Sequence, residues 1–374
     1  VTVVYGLICL SFIIFFHELG HFIAARACKV TVEAFSIGMG PVLLHKKIGI
    51  TDYRISLFPI GGYCAMKGEQ DFKNALDANL PTITADKDSL YGIHPLKRAL
   101  IACAGPCFNL LFAFMAFTTI AMTGYTYYAP SAVIVLADEL YPEIHSAARD
   151  AGLKTGDTIL EINNQKVNDF SDISVLVATC PDEDITVIVE RDGTEMQFTV
   201  HTDMDKTHGI GKIGVSSTKG SYQKRSAPVY SFFPALLQGA KETMNMTGIA
   251  VKSIAVLFKG VEITNAVSGP ARLTTMLGDT VKEGFSAGIN SGIVSTLQFL
   301  ALISISLFIM NLLPIPILDG GLVLFALIET VFKKQVPPKV QYYVQYIGIA
   351  FIAAMLLIGI GGDIKYFAKL LGKK

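Results

Sequence analysis

The sequence predicts a mainly α polytopic membrane protein of about four transmembrane helices, with one small mixed α/β domain inserted between the second and third. Three observations predict it. Of the 374 residues 51% are hydrophobic and only 17% are charged, against about 25% charged in an average soluble chain. Four stretches are apolar over the roughly 20 residues needed to cross a bilayer. Between the second and third of them, residues 124–240 carry nine basic and sixteen acidic side chains with the strand and turn signals of a folded module. This composition argues against a disordered chain, a secreted disulfide scaffold and an ordinary cytosolic enzyme. With 31 basic and 31 acidic residues, no nucleic-acid partner is expected; the lipid bilayer is.

The first span runs from Val1 to about Ala27 and carries no Asp, Glu, Lys or Arg before Glu18. It lacks a basic leader and continues into His17, Glu18 and His21, so it does not read as a signal peptide. The second runs from Ala99 to about Thr123, within a segment free of such charges between Arg98 and Asp138. The third, Gly292 to Ile328, holds a single charge, Asp319, and the fourth lies between Lys339 and Asp363. Thr243–Phe258 carries Lys252 in its middle. It is too short to span and reads as an amphipathic helix at the membrane surface or against the spans.

Basic residues near span ends mark the cytoplasmic side. Lys97, Arg98, Lys333, Lys334 and Lys339 therefore put residues 26–98 and the 333–339 loop inside, and the acidic 124–240 region outside. The tail lysines Lys365, Lys369, Lys373 and Lys374 then lie outside, against the rule. In the outer region Ser131–Leu136, Thr158–Ile162, Ile185–Arg191 and Glu195–His201 read as strands, the last two joined by the hairpin signal Asp192-Gly193. Ile144–Ala151 and Asp169–Thr179 read as helices. Cys180 is the only cysteine there, so no disulfide can form within it.

The strongest chemical signal is His17-Glu18-Leu19-Gly20-His21. Residues i and i+4 share a helix face, so both imidazoles can bind one Zn²⁺ while Glu18 serves as base. The bland alternative is two histidines on a polar stripe, but charges at membrane depth cost about 2.5–3.5 kcal/mol each. A catalytic zinc takes a third protein ligand and keeps one position open. Asp319 is the best candidate, the only charge between Glu283 and Glu329. It follows Pro314 and Pro316 and precedes Gly320-Gly321, and broken backbone at membrane depth is tolerated only where protein or a cavity satisfies it. Asn311, eight residues earlier, could donate to a substrate carbonyl or tie two spans together. Asn109 has the same two readings. Cys103 and Cys107 have i,i+4 spacing that could bind metal, though such pairs are more often small packing residues.

His17–His21, Gly105-Pro106-Cys107-Phe108-Asn109 and Asn311–Gly321 together resemble the site-2 protease family of intramembrane metalloproteases, in the bacterial regulator-of-sigma-E branch, over essentially the whole chain. The resemblance implies His17, His21 and Asp319 as ligands of one Zn²⁺ per chain, Glu18 as general base and Asn311 as a substrate contact. It implies a membrane-associated β-loop at 35–66 that contacts substrate through Gly38, Gly40 and the strand Tyr53–Phe58, including Ile55. It implies one inserted PDZ-like domain, carrying Ala151-Gly152-Leu153-Lys154-Thr155-Gly156-Asp157. The domains expected are 1–123 with the first two spans and the β-loop, 124–210 as the PDZ-like domain, 211–290 as linker and amphipathic helix, and 291–374 with the last two spans. The expected location is the bacterial cytoplasmic (inner) membrane, with the PDZ-like domain extracytoplasmic and the active site toward the cytoplasm. The expected substrates are single-span membrane proteins, anti-sigma factors of a stress response or signal-peptide remnants. Two other classes fit some residues: a membrane metal-ion transporter using His17, His21 and Asp319 as an ion path, and a silent PDZ-type binder of membrane peptides.

Overall fold

The computed structural model describes residues 2–205, 209–218, 222–257 and 269–371. His208, residues 261–268 of the segment before the third span, and Lys373 and Lys374 lie outside them. The chain forms two compact units, one of Val1–Thr123, Tyr230–Thr247 and Gly269–Lys374, the other of Gly124–Val229 and Gly248–Ser268.

The first unit opens with α1 (Thr2–Ala27), a long β-hairpin of β1 (Val32–Ile48) and β2 (Thr51–Met66), α2 (Glu69–Asp77) and α3 (Pro95–Thr123). The hairpin is more than two strands in effect. Phe35 pairs with both Cys64 and Tyr53, and Tyr53 with both Phe35 and Lys46. β1 and β2 each bend, and the four segments lie side by side in the order 62–66, 32–37, 51–58 and 42–48. Gly38 (φ +84°), Gly40 (φ +85°) and Gly61 (φ +90°) take the left-handed conformations that the bends need.

The second unit holds β3 (Thr126–Pro130), β4 (Ile134–Leu136), α4 (Ala137–Leu140), α5 (Ala147–Asp150), β5 (Thr158–Ile162), β6 (Gln165–Lys166), α6 (Phe170–Ala178), β7 (Asp184–Arg191), β8 (Thr194–His201), β9 (Asp203–Asp205), β10 (Ile210–Lys212), β11 (Val215–Ser217) and β12 (Tyr222–Ser226). A four-stranded sheet of order β6-β5-β7-β8 packs on a core that includes Ile134, Leu153, Ile159, Ile173 and Val187. Asp192 (φ +52°) and Gly193 (φ +77°) both take the left-handed conformation that a two-residue hairpin turn demands. Asp169 caps α6 by accepting from the Ser171 and Asp172 N–H groups. The expected helix over 144–151 shrinks to four residues, closed by Gly152 at φ +95°. β11 and β12 pair back onto β4 and β3, so the unit runs past the expected boundary at 210 to Val229.

The chain then returns through α7 (Phe232–Leu257), α8 (Pro270–Ala287), α9 (Ile289–Leu312), α10 (Asp319–Phe332) and α11 (Pro338–Leu371). Four helices among the described residues are long and apolar enough to cross a membrane: Thr2–Ala27, Pro95–Thr123, Ile289–Leu312 and Pro338–Ala368. They are apolar all round, as helices facing lipid are: Val3, Val4, Ile8 and Phe12 lie on the outside of α1. The stretch expected as the third span, 292–328, is helix, break and helix, and the break falls at Pro314 and Pro316, where the sequence predicts broken backbone. Leu313, before Pro314, is extended (ψ 141°), as a residue preceding proline prefers, and neither Pro314 nor Pro316 can donate to a helix. The amphipathic segment expected at 243–258 forms the later part of the longer helix α7, with Phe258 outside the described residues.

Glycines set how closely the helices approach. A Cβ at Gly20 of α1 would overlap the Ala104 carbonyl of α3, and one at Gly6 would overlap the Thr274 carbonyl of α8. Small residues at crossings let backbones meet where packing replaces the hydrophobic effect as the driving force.

Candidate metal centre

α1 puts His17 and His21 on one face, one turn apart, both buried. Asp319, the first residue of α10, reaches the same point from across the unit. His17 Nε2 lies 3.2 Å from Asp319 Oδ2, and His21 Nε2 lies 3.4 Å from Asp319 Oδ1. The two Nε2 atoms are 3.1 Å apart. Metal–nitrogen bonds of about 2.0–2.1 Å in a tetrahedral site separate ligand atoms by about 3.3 Å, so these three donors are spaced as the corners of a zinc tetrahedron. Two imidazoles and a carboxylate are also a donor set that zinc accepts. Among the described residues this is the one group of three such donors, and neither Cys103 nor Cys107 joins it.

Glu18 points from the next position of α1 into the same cavity, of about 980 Å³, which His17, His21, Asn311 and Asp319 also line. The Cys64 N–H faces its carboxylate, and its Cγ stands against Gly62, where a Cβ would lie 3.4 Å away. The cavity runs on to α2, whose residues Glu69, Phe72, Lys73, Leu76 and Asp77 share one helix face, and to Gln341 and Gln345 of α11.

The other expected substrate contacts fall elsewhere. Tyr53 and Ile55 line a second cavity of about 500 Å³, with Phe15, Leu19, Phe22 and Phe35. Gly38 and Gly40 sit at the bend of β1 against Phe58. Tyr53–Ile55 has paired neighbours on both sides, whereas among the described residues Gly62–Met66, beside Glu18, pairs with another strand on one side only.

Three further features surround the centre. Ile317, two residues before Asp319, has φ +89°, a conformation that is strained for a β-branched side chain. Arg98 of α3 and Glu329 of α10 form a buried ion pair by the cavity, and Glu329 also accepts from Val336 N at 3.1 Å. α3 backs both histidines: His21 Nδ1 bonds the Ile101 carbonyl at 2.8 Å, and His17 Nδ1 lies 3.1 Å from the side-chain amide of Asn109. Of these residues the sequence points to Asn109, an amide inside an apolar run; the strain at Ile317 and the pairing of Arg98 with Glu329 have no local signature.

An apolar helical unit with a His–Glu–His helix and a distant carboxylate brought to one point defines a membrane-embedded metal-site protein of the metallopeptidase kind. The chain belongs to peptidase family M50, the site-2 protease family, whose model matches residues 5–355. A Treponema pallidum protein is 34% identical over 98% of this chain and 99% of its own length. A Campylobacter jejuni protein is 34% identical over 95% and 91%, and a Clostridium acetobutylicum protein 32% identical over 98% and 98%. Each of these relatives bears the name "Putative zinc metalloprotease".

Proposed function

We propose that this chain is an intramembrane zinc endopeptidase that hydrolyses peptide bonds inside the membrane-spanning segments of single-span membrane proteins. The observation that carries the reading is the convergence of His17, His21 and Asp319 at tetrahedral spacing beside Glu18. When bound, zinc supplies Lewis acidity that polarises a peptide carbonyl and acidifies water. Glu18 takes the proton of the attacking water and returns it to the leaving amine. Asn311 lines the cavity as a donor to the substrate carbonyl, a role amides serve where negative charge develops.

A helical substrate hides its carbonyls in hydrogen bonds and must unwind before it is cut. The Gly62–Met66 edge, next to Glu18, offers backbone partners to the unwound segment by strand addition. The unit at 124–229 acts as a PDZ-like extracytoplasmic module that binds new C-termini or excludes bulky outer domains. The basic span ends support an orientation with Arg98 and Lys333 on the cytoplasmic side of an inner membrane. Anti-sigma factors already trimmed outside and signal-peptide remnants are the substrate classes that fit.

The test is purification in detergent, zinc analysis, and cleavage of a single-span substrate by wild type and Glu18→Gln. The expected result is about one zinc in both proteins and cleavage by wild type alone. A wild type without zinc, or a Glu18→Gln variant that still cleaves, overturns the reading.

A further inference from the structure

Neither histidine can serve as a ligand unless its ring is held and its proton is on the other nitrogen. Both Nε2 atoms face Asp319, so a neutral ligating imidazole carries its hydrogen on Nδ1. For His21 that hydrogen has an acceptor, the Ile101 carbonyl at 2.8 Å. For His17 the facing group is the Asn109 amide at 3.1 Å. Asn109 is fully buried, and its Oδ1 has no hydrogen-bond partner. The nitrogen and oxygen of an amide exchange places by a half-turn about the terminal bond. With Nδ2 toward His17, two donors would face each other and the buried oxygen would stay unmet. With Oδ1 toward His17, the Nδ1–H gains its acceptor and the oxygen its donor.

We infer that Asn109 is a positioning residue for the metal centre: its Oδ1 accepts the Nδ1–H of His17 and thereby aims Nε2 at the ion. α3 is laid out for the task. Ile101, Gly105 and Asn109 follow at four-residue intervals and share one helix face. The outer two hold the two rings, and the glycine between leaves space for them, since a Cβ there would overlap His21 Nε2 and stand 2.8 Å from His17 Cε1. The Asn109 main chain has a separate duty, its carbonyl accepting from Ser304 Oγ of α9 at 2.8 Å. The tie between α3 and α9 therefore survives any change of the Asn109 side chain. Partners of this kind raise ligand basicity and fix the ring, and losing one typically costs 10–100-fold in metal affinity.

The inference rests on the metal-site reading above, and the test separates the two. Zinc affinity of the full chain in detergent is measured by competition with a chromogenic chelator, alongside thermal stability. If wild type binds no zinc, the metal-site reading fails. If it does, Asn109→Leu, of similar size and without an acceptor, is expected to bind about 10–100-fold more weakly. Asn109→Asp, which keeps the acceptor, is expected to stay within about threefold of wild type, and Ser304→Ala is expected to match wild type. If Asn109→Leu does not give a folded protein, Asn109→Ala replaces it in the same comparison. Wild-type affinity in the variant lacking the acceptor overturns the inference. So does an Asn109→Asp variant as weak as that one, or a Ser304→Ala loss as large.

Discussion

Gly105 of α3 stands so close to the His21 imidazole that a Cβ at position 105 would overlap its Nε2 atom. Small-to-large changes in a packed site force neighbours to move, at a cost of about 1–3 kcal/mol. Here the neighbours are His17 and His21, the two histidines proposed to bind the metal. Gly105→Ala is expected to lose at least about tenfold in zinc affinity, the range seen when a ligand's support is disturbed. Cys107→Ala, on the exposed side of the same helix, is expected to keep its zinc. Metal analysis after dialysis against a weak chelator reads both, and zinc loss in Cys107→Ala would revive the cysteine pair as a ligand source.

The buried pair Arg98–Glu329 joins α3 to α10, the helix that carries Asp319. The Glu329 side chain is 1% exposed and Arg98 11%. Removing one partner leaves a buried charge uncompensated, at about 3–5 kcal/mol. Glu329→Gln is expected to lower thermal stability by that amount, and Arg98→Met with Glu329→Gln to recover at least half of it. Thermal unfolding in detergent decides; a double variant no better than the single would refute the pairing as the cause.

The second unit carries groups with opposite pH dependence. Burial would push the Asp157 carboxyl up, but the Arg191 guanidinium (2.7 Å) and the Lys154 N–H (2.8 Å) outweigh it and hold the carboxyl below the usual range. Its contribution is present above about pH 4, the unfolded value, and fades as pH falls through the depressed native value. His145, bonded to Asp203 and Asp150, and His201, bonded to Asp184 and Asp182, are both shifted up by those carboxylates. Their contribution is present below about pH 6.5 and is lost as pH rises through the native values. Hydrogen exchange of β5 and β7 in the full chain is expected to be slowest near pH 5–6, after correction for intrinsic rates. In Asp157→Asn the acid-side acceleration should be reduced.

Asp363 of α11 is buried and accepts from the N–H groups of Gly269, Ala271 and Arg272 at 2.9, 3.0 and 3.3 Å. A carboxylate at a helix N-terminus meets otherwise unpaired donors and the positive end of the dipole, each worth about 1 kcal/mol. Asp363→Leu is expected to speed hydrogen exchange over the first turn of α8 by about tenfold or more, and Asp363→Asn by less. Equal rates in all three proteins would show that the cap contributes nothing.

How much of this was legible depended on whether the signal was local. His17, Glu18 and His21 show themselves by spacing alone, and Asp319 by being a lone charge in an apolar run. The Asp192-Gly193 turn and the Asp169 cap were equally local. What escaped depends on how distant segments meet. Asn109 stands out as an amide in an apolar span, but its place beside His17, and the purpose of the Gly105 gap, depend on the depth at which α3 crosses α1. The free edge at Gly62–Met66 follows from β2 bending at Gly61 to pass on the far side of β1, which no alternation pattern announces. β12 (Tyr222–Ser226) was missed because it is short and polar, and its strand character comes from pairing with β3. Nothing near Glu329 in the sequence points to its partner, which lies 231 positions away.

The close approaches along α1 have one more consequence. The helix is gripped at Gly6 by α8 and at Gly20 by α3. Its buried positions Gly6, Ile13, His17, Gly20, His21 and Ala24 recur about every turn, while Val3, Val4, Ile8, Phe12 and Ile23 face outward. Sequence drift in this helix should therefore be confined to one flank. A saturation library over residues 2–27 should sort into a frozen stripe and a permissive one that accepts any apolar residue. The frozen stripe would include Gly6 and Gly20, held as invariant as His17 and His21 because they set where those histidines stand.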